Sequence, residues 1–303
     1  DGGALLLTRT DEAIGLIDRL AGCFRDRRAP ALVEHAVRTL VGQRVFGIAA
    51  GYEDLNDHDE LRKDPLWGAL MGKLTAKRRD CQALAGKSTL NRLEWAKANG
   101  TTRYQRIEVD APAIEALFVT LFLESYAKAP EEIVLDLDAT DDPLHGDQEG
   151  RFFHGYYDHY CYLPLYIFCG RHLLCAKLRP ANIDGAAGAK EEVTRIVGQI
   201  RARWPETRII LRADSGFTRE GLMAWCEGNG VDYVFGLARN RRLERWLQPT
   251  LERVAEQVAV RGQAAREFLE RSYRTLTSWS CARRVVGKAE VTTLGSNPRF
   301  VVT

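Results

Sequence analysis

Ile133-Val134-Leu135-Asp136-Leu137-Asp138-Ala139-Thr140-Asp141-Asp142-Pro143 decides how the rest of the chain is read. An apolar run carries acids on alternate positions and then breaks at an acidic turn marked by Pro143. Residues two apart on a strand share a face, so Asp136 and Asp138 point the same way. In open α/β sheets ligands collect at the carboxyl ends of the strands, and an acid placed there is a candidate metal ligand. The stretch raises the question of where its partner carboxylate lies.

Arg208-Ile209-Ile210-Leu211-Arg212-Ala213-Asp214-Ser215-Gly216-Phe217 repeats the pattern: an apolar strand, an Asp at its end, then a small-residue turn into a helix. Asp138 and Asp214 meet only if their strands are neighbours. Such a pair suits Mg²⁺ or Mn²⁺, hard ions that favour oxygen ligands, with phosphate oxygens completing the shell. Two such ions serve an in-line displacement at phosphorus. The plainer reading makes Asp214 the cap of a helix near Thr218, and Asp141 or Asp142 the start of the turn at Pro143. His145, His154, His159 and His172, with Cys161 among them, match no zinc spacing. There is no P-loop, no Gly-x-Gly-x-x-Gly, and no Gly-x-Ser-x-Gly elbow around Ser215.

Outward from these strands, residues 1–130 read as mostly helical. Apolar residues recur at helical spacing over 11–20, 31–50, 66–93 and 113–126, with a polar link at 97–105. From 131 onward the order is strand, an aromatic β-hairpin over 151–169, helix 186–204, strand 207–214, helix 218–228, strand 231–237 and a charged helix 240–260. Strand-like runs return after about 261. The fold class is therefore α/β (α+β), a mixed sheet flanked by helices with right-handed crossovers.

Composition sets the frame. The 303 residues are 45% hydrophobic and 28% charged, enough for two domains with a substantial core. Net charge is only +2, yet Arg239 to Glu290 holds 12 Lys/Arg against 6 Asp/Glu. A basic region of this kind fits a polyanion as well as a solvated helix face. Seven irregularly spaced cysteines without a Cys-x-x-Cys pair fit reduced thiols in a cytoplasmic protein. No basic leader precedes an apolar core at the start, and no apolar window is long enough to span a bilayer. The chain opens without Met and ends on the strand-like Arg299-Phe300-Val301-Val302-Thr303, which leads us to expect a fragment.

Leu135-Asp136-Leu137-Asp138-Ala139-Thr140-Asp141-Asp142-Pro143-Leu144-His145-Gly146 resembles the first catalytic block of DDE transposases from bacterial insertion sequences, specifically insertion sequence family 1380. His154-Gly155-Tyr156-Tyr157 with Cys161-Tyr162-Leu163-Pro164-Leu165 resembles the next block, and Arg212-Ala213-Asp214-Ser215-Gly216-Phe217 the second catalytic block. Asp1 to Leu7 and Gly51 to Asp59 also match family habits.

This resemblance implies a ribonuclease H-like catalytic domain over 131–303, with a β-rich insertion from about 261, and a helical region over 1–130 that binds terminal repeats. It implies Mg²⁺ dependence and cut-and-paste transposition. It selects Asp138, in the Asp-x-Thr element, over Asp136 as the first catalytic and metal-binding acid, with Asp214 the second. The partners it implies are the DNA of the transposon's terminal inverted repeats and of the target, with a homodimer on paired ends. The location is the bacterial cytoplasm, at the nucleoid. Arg239, Arg241, Arg242, Arg245, Arg283 and Arg284 are the expected phosphate contacts. The third acid, a glutamate, is expected beyond Thr303, and this chain is expected to be inactive on its own. A Mg²⁺-dependent nuclease or resolvase on the same fold, or a non-catalytic DNA-binding remnant, are the alternative readings.

Overall fold

The computed structural model describes residues 2–97 and 104–303; most of the polar link expected at 97–105 lies outside them. The chain divides into two compact units, Asp1–Leu117 and Phe118–Thr303. No described helix is long and apolar enough to cross a membrane.

The first unit is helical, as its periodicity predicts, but more broken. The run expected over 11–20 is two helices, Leu5–Ile14 and Leu16–Gly22, parted at Gly15, whose φ of 64° is left-handed and cheap only for glycine. The continuous helix expected over 66–93 is instead Pro65–Leu70 and Lys87–Glu94, with irregular chain between. Asp64 caps the first of these, and Gly72 turns the chain with φ 63° just past its end. Ile17, Leu40, Trp67, Leu84 and Leu90 form the core, each no more than 2% exposed. Gln43 is buried among them, and its amide both donates to Ala85 O and accepts from Ala85 N, so burial leaves those atoms paired.

The second unit is built on one nine-stranded sheet. Its strands, in chain order, are β1 (Glu132–Ala139), β4 (Leu165–Cys169), β5 (His172–Lys177), β6 (Arg208–Ala213), β7 (Asp232–Gly236), β8 (Ala265–Tyr273), β9 (Arg283–Thr292) and β10 (Arg299–Val302), with the short Gly295–Ser296 paired to β9. Two further strands, β2 (Phe152–His154) and β3 (His159–Tyr162), form a separate small sheet with Asp142–Pro143. The order across the large sheet is β8-β9-β10-β7-β6-β1-β4-β5. Its five-strand heart is β5-β4-β1-β6-β7. Here β4 is antiparallel to both β1 and β5, while β6 and β7 run parallel to β1 and to each other. That arrangement is a ribonuclease H-like sheet. The helices are α1 (Ala111–Glu124), α2 (Ala189–Arg203), α3 (Glu220–Gly228) and α4 (Arg241–Arg261).

Alternation on β1 explains its place. Ile133, Leu135 and Leu137 are buried, while Val134, Asp136 and Asp138 lie on the opposite face. Burying each aliphatic side chain contributes about 1.5–3 kcal/mol. The α2 face Val193, Ile196, Val197 and Ile200 packs into the same cluster, as does the α3 pair Leu222 and Met223. One expectation is corrected. The aromatic segment 151–169 is not one hairpin: β2 and β3 belong to the small sheet, and β4 crosses into the large one. The strands after 261 extend the main sheet, since β10 pairs with β7.

Candidate functional site: two carboxylates at the ends of parallel strands

β1 and β6 pair in parallel with a constant register, Glu132 opposite Arg208 through Leu137 opposite Ala213. One further step places Asp138 level with Asp214, so the two acids sit side by side where the strands end. The sheet thereby brings together residues 76 positions apart, the separation of the Asp136–Arg212 pair in the same register.

The same ladder separates Asp136 from Asp138. Asp136 faces Arg212 across the strands and accepts two bonds from its guanidinium, at 2.5 and 2.8 Å. Its charge is balanced in place. Asp138 is exposed and makes no hydrogen bond or ion pair among the described residues. Asp214 accepts from Gly216 N at 2.8 Å through Oδ1 and caps the short 3₁₀ turn Ser215–Phe217. Asp214 thus caps this turn and not the helix that follows, whose N-cap is Arg219, and its Oδ2 makes no hydrogen bond among the described residues.

Gly236, the last residue of β7, supports this end of β6. A Cβ built on it would lie 2.9 Å from Ser215 N and 3.1 Å from the Asp214 carbonyl carbon. Both contacts are backbone, so only glycine fits without moving Asp214. The Thr218 hydroxyl donates to Gly236 O, which ties the turn to β7. A glycine at a strand end was visible in the sequence, but its neighbour was not.

The β2–β3 hairpin lies over the end of β1. The Tyr157 hydroxyl donates to Ala139 O at 3.4 Å. Burial raises its phenol above the ordinary value, and the carboxylates of Asp141, Asp138 and Asp214 add to the rise. His159 Nε2 stands 2.8 Å from Asp141 Oδ2 but without hydrogen-bond alignment, so the contact is a close approach and not a hydrogen bond. His154 and His159 flank the Tyr157 ring with centroids at 4.9 and 6.1 Å. His172 instead packs against Phe122 and Tyr126. Among the described residues no group of three His, Cys, Asp or Glu is placed to hold a metal.

The donor set still fits Mg²⁺ or Mn²⁺. Two carboxylates, neither paired with a cation among the described residues, suit an ion that usually takes one or two carboxylates and fills its shell with waters and phosphate oxygens. Asp138 and Asp214 would hold it.

The arginines divide. Arg239, Arg241 and Arg245 are exposed and carry no ion pair among the described residues. They lie just past β7, which runs parallel to β6, and so follow the strand ends that carry the acids. Arg242 is also exposed, but stacks on Tyr273 at 4.9 Å and donates to Arg274 O. Arg284 is paired with Glu270. Arg283 corrects the expectation: its side chain is 2% exposed, and its guanidinium bridges Glu220 and Glu227 of α3. A buried arginine held by two carboxylates anchors β9 to α3 and does not reach a phosphate.

The fold and the paired acids place the chain in the ribonuclease H-like class. Residues 1–303 match the transposase DDE domain group 1 model, and the chain belongs to that family. It is similar to the piggyBac transposase in a cryo-EM structure of its synaptic complex with hairpin DNA. There the identity is 10% over 99% of this chain and 60% of that one, with a TM-score of 0.39. It is also similar to the Mos1 transposase in a paired-end complex with the left transposon end, at 14% identity over 61% of this chain and 57% of that one, TM-score 0.25. The chain thus spans three-fifths or less of the length of either. No curated protein sequence matches it.

Proposed function

We propose that the protein cuts and joins DNA at transposon ends, with Asp138 and Asp214 of the second unit as two of its catalytic and metal-binding acids. The observation that carries this is the register of β1 and β6, which sets an unpaired Asp138 beside Asp214 at the strand ends. Asp138 and Asp214 would hold the ion at the strand ends, where the reacting phosphate is bound. Mg²⁺ or Mn²⁺, when bound, polarises phosphate oxygens and makes an attacking hydroxyl available near neutral pH. Arg239, Arg241 and Arg245 neutralise backbone phosphates and fix the position of the duplex without reading bases. The helical region 1–130 binds the terminal inverted repeats, target DNA is the second substrate, and two copies act on paired ends. The protein works in the bacterial cytoplasm, at the nucleoid.

The test incubates the full-length protein with duplexes carrying its element's ends, a target plasmid and Mg²⁺. Nicking and joining that Asp138→Asn and Asp214→Asn each abolish are the expected result. Cleavage without joining would favour a nuclease, and DNA binding without any cleavage, indifferent to both substitutions, would favour a non-catalytic remnant and sink the assignment.

A further inference from the structure

The β2–β3 hairpin has two unlike faces. Register places Phe153 opposite Tyr160, and His154 opposite His159. The inner face is covered: Cys161, at its base, is fully buried with Leu163 and Ala181 against Tyr157 and Ala139. The outer face is not. Phe153 and Tyr160 are each about half exposed and meet edge to face at 5.6 Å. Arg151 lies over the Tyr160 ring at 4.7 Å, its guanidinium held by Asp147 and Gly146 O. At the turn, held by Asp158 with φ 59°, Tyr156 is 85% exposed. Its ring meets Tyr157 at 5.0 Å, and Tyr157 is the residue that senses Asp138 and Asp214.

Three aromatic rings thus stand largely in solvent on the hairpin that reaches the end of β1, on a scaffold too small to need them for its core. Exposed aromatic rings match the π-faces of unpaired nucleotides; a duplex keeps its base faces stacked inside. The hairpin is continuous with the site proposed to act on the DNA backbone. We propose that Tyr156, Phe153 and Tyr160 form a stacking platform for unpaired bases of the DNA strand beside the scissile phosphate. This rests on the DNA-processing reading above.

The test measures binding of the full chain, without metal, to a single-stranded oligonucleotide carrying 2-aminopurine and to a duplex of the same length. Tyr156→Ala, Phe153→Leu and Tyr160→Leu should each weaken single-strand binding about 5- to 100-fold, the loss of one stacking partner, and reduce the 2-aminopurine quenching on binding. Duplex affinity should stay within about twofold, since phosphate contacts dominate it. Unchanged single-strand affinity in all three variants, or an equal loss for duplex, would overturn the platform. Tyr156→Ala removes a side chain that is almost wholly in solvent, so its result does not depend on folding. The same measurement on Asp138→Asn keeps the two readings apart. Intact DNA cleavage by Asp138→Asn would refute the catalytic assignment and leave the platform standing.

Discussion

Gly236 lies against Asp214 so closely that a single added carbon would stand 3.1 Å from the Asp214 carbonyl carbon and 2.9 Å from the next backbone nitrogen. Gly236→Ala must therefore push the end of β6. Overpacking of this kind costs about 1–3 kcal/mol. The larger effect falls on geometry, because a shift of about 1 Å at a reacting group can lower the rate about 100-fold. Cleavage of a transposon-end duplex should fall at least about tenfold, while the thermal midpoint drops by only several degrees. A Gly236→Ala protein with wild-type cleavage would show that this contact does not position Asp214.

Asp136 and Asp138 share a face of β1 but not a role. Asp136→Asn loses an ion pair with a largely exposed Arg212, worth about 0.5–1 kcal/mol, and should leave cleavage nearly intact. Asp138→Asn removes an unpaired exposed carboxylate. It should leave stability unchanged while abolishing cleavage and weakening Mn²⁺ binding in calorimetric titration. The opposite assignment of losses would make Asp136 the metal ligand.

Arg283 should behave as a structural cation. Arg283→Leu leaves Glu220 and Glu227 facing each other without their shared partner, at a cost of about 3 kcal/mol. The pair also has a pH signature. Glu220 is held down to about 2, mainly by its hydrogen bond from Arg283, from an ordinary value of 4.5. A depressed acid stabilises above its unfolded value, and that stabilisation is lost as pH falls from about 4.5 toward about 2. Urea midpoints at pH 7 and pH 3 should therefore converge for wild type and Arg283→Leu.

Salt dependence separates the remaining arginines. Arg239→Gln, Arg241→Gln and Arg245→Gln should each lower the slope of log affinity against log salt by about one, as expected for a lost phosphate contact. A slope unchanged in all three would move the DNA-binding surface away from the start of α4.

His35 gives the first unit its own acid response. Burial holds its imidazole down to about 4, helped by Lys73 and Arg28 and opposed by Glu34. Between pH 6.5 and about 4 the unfolded chain takes up a proton that the folded chain refuses, so stability is complete above 6.5 and declines through that window. Between pH 7 and 5 the decline amounts to about 1–2 kcal/mol. Thermal unfolding of His35→Gln should show a shallower loss over the same interval.

The acid-ended strands, the helices after them and the order of elements from 131 onward are local matters, and local patterning carries them. Alternation on Ile133, Leu135 and Leu137 fixes which face of β1 is buried, and that puts Asp136 and Asp138 together on the other. The start of α2 shows the same economy, with Val193, Ile196, Val197 and Ile200 at helical spacing. The breaks in the first unit were less legible, because the chain between 71 and 86 keeps helix-friendly residues but is held by tertiary contacts. Lys73, for instance, donates to Glu34 O, and Glu34 accepts from the backbone of Lys77 and Arg78.

The amino-acid sequence by itself determined the two acidic strand ends, the mixed sheet and the basic surplus near the C-terminal third. Only the tertiary structure decided which residues meet. It set β1 beside β6, turned Arg212 onto Asp136 and left Asp138 free. It buried Arg283 between two glutamates while leaving Arg239, Arg241 and Arg245 in solvent, and it pressed Gly236 against Asp214. The physical reason is common to all four. Periodicity reports which face of an element is apolar. The pairing of charges and the close approach of backbones depend on strand order and register, which join residues dozens of positions apart.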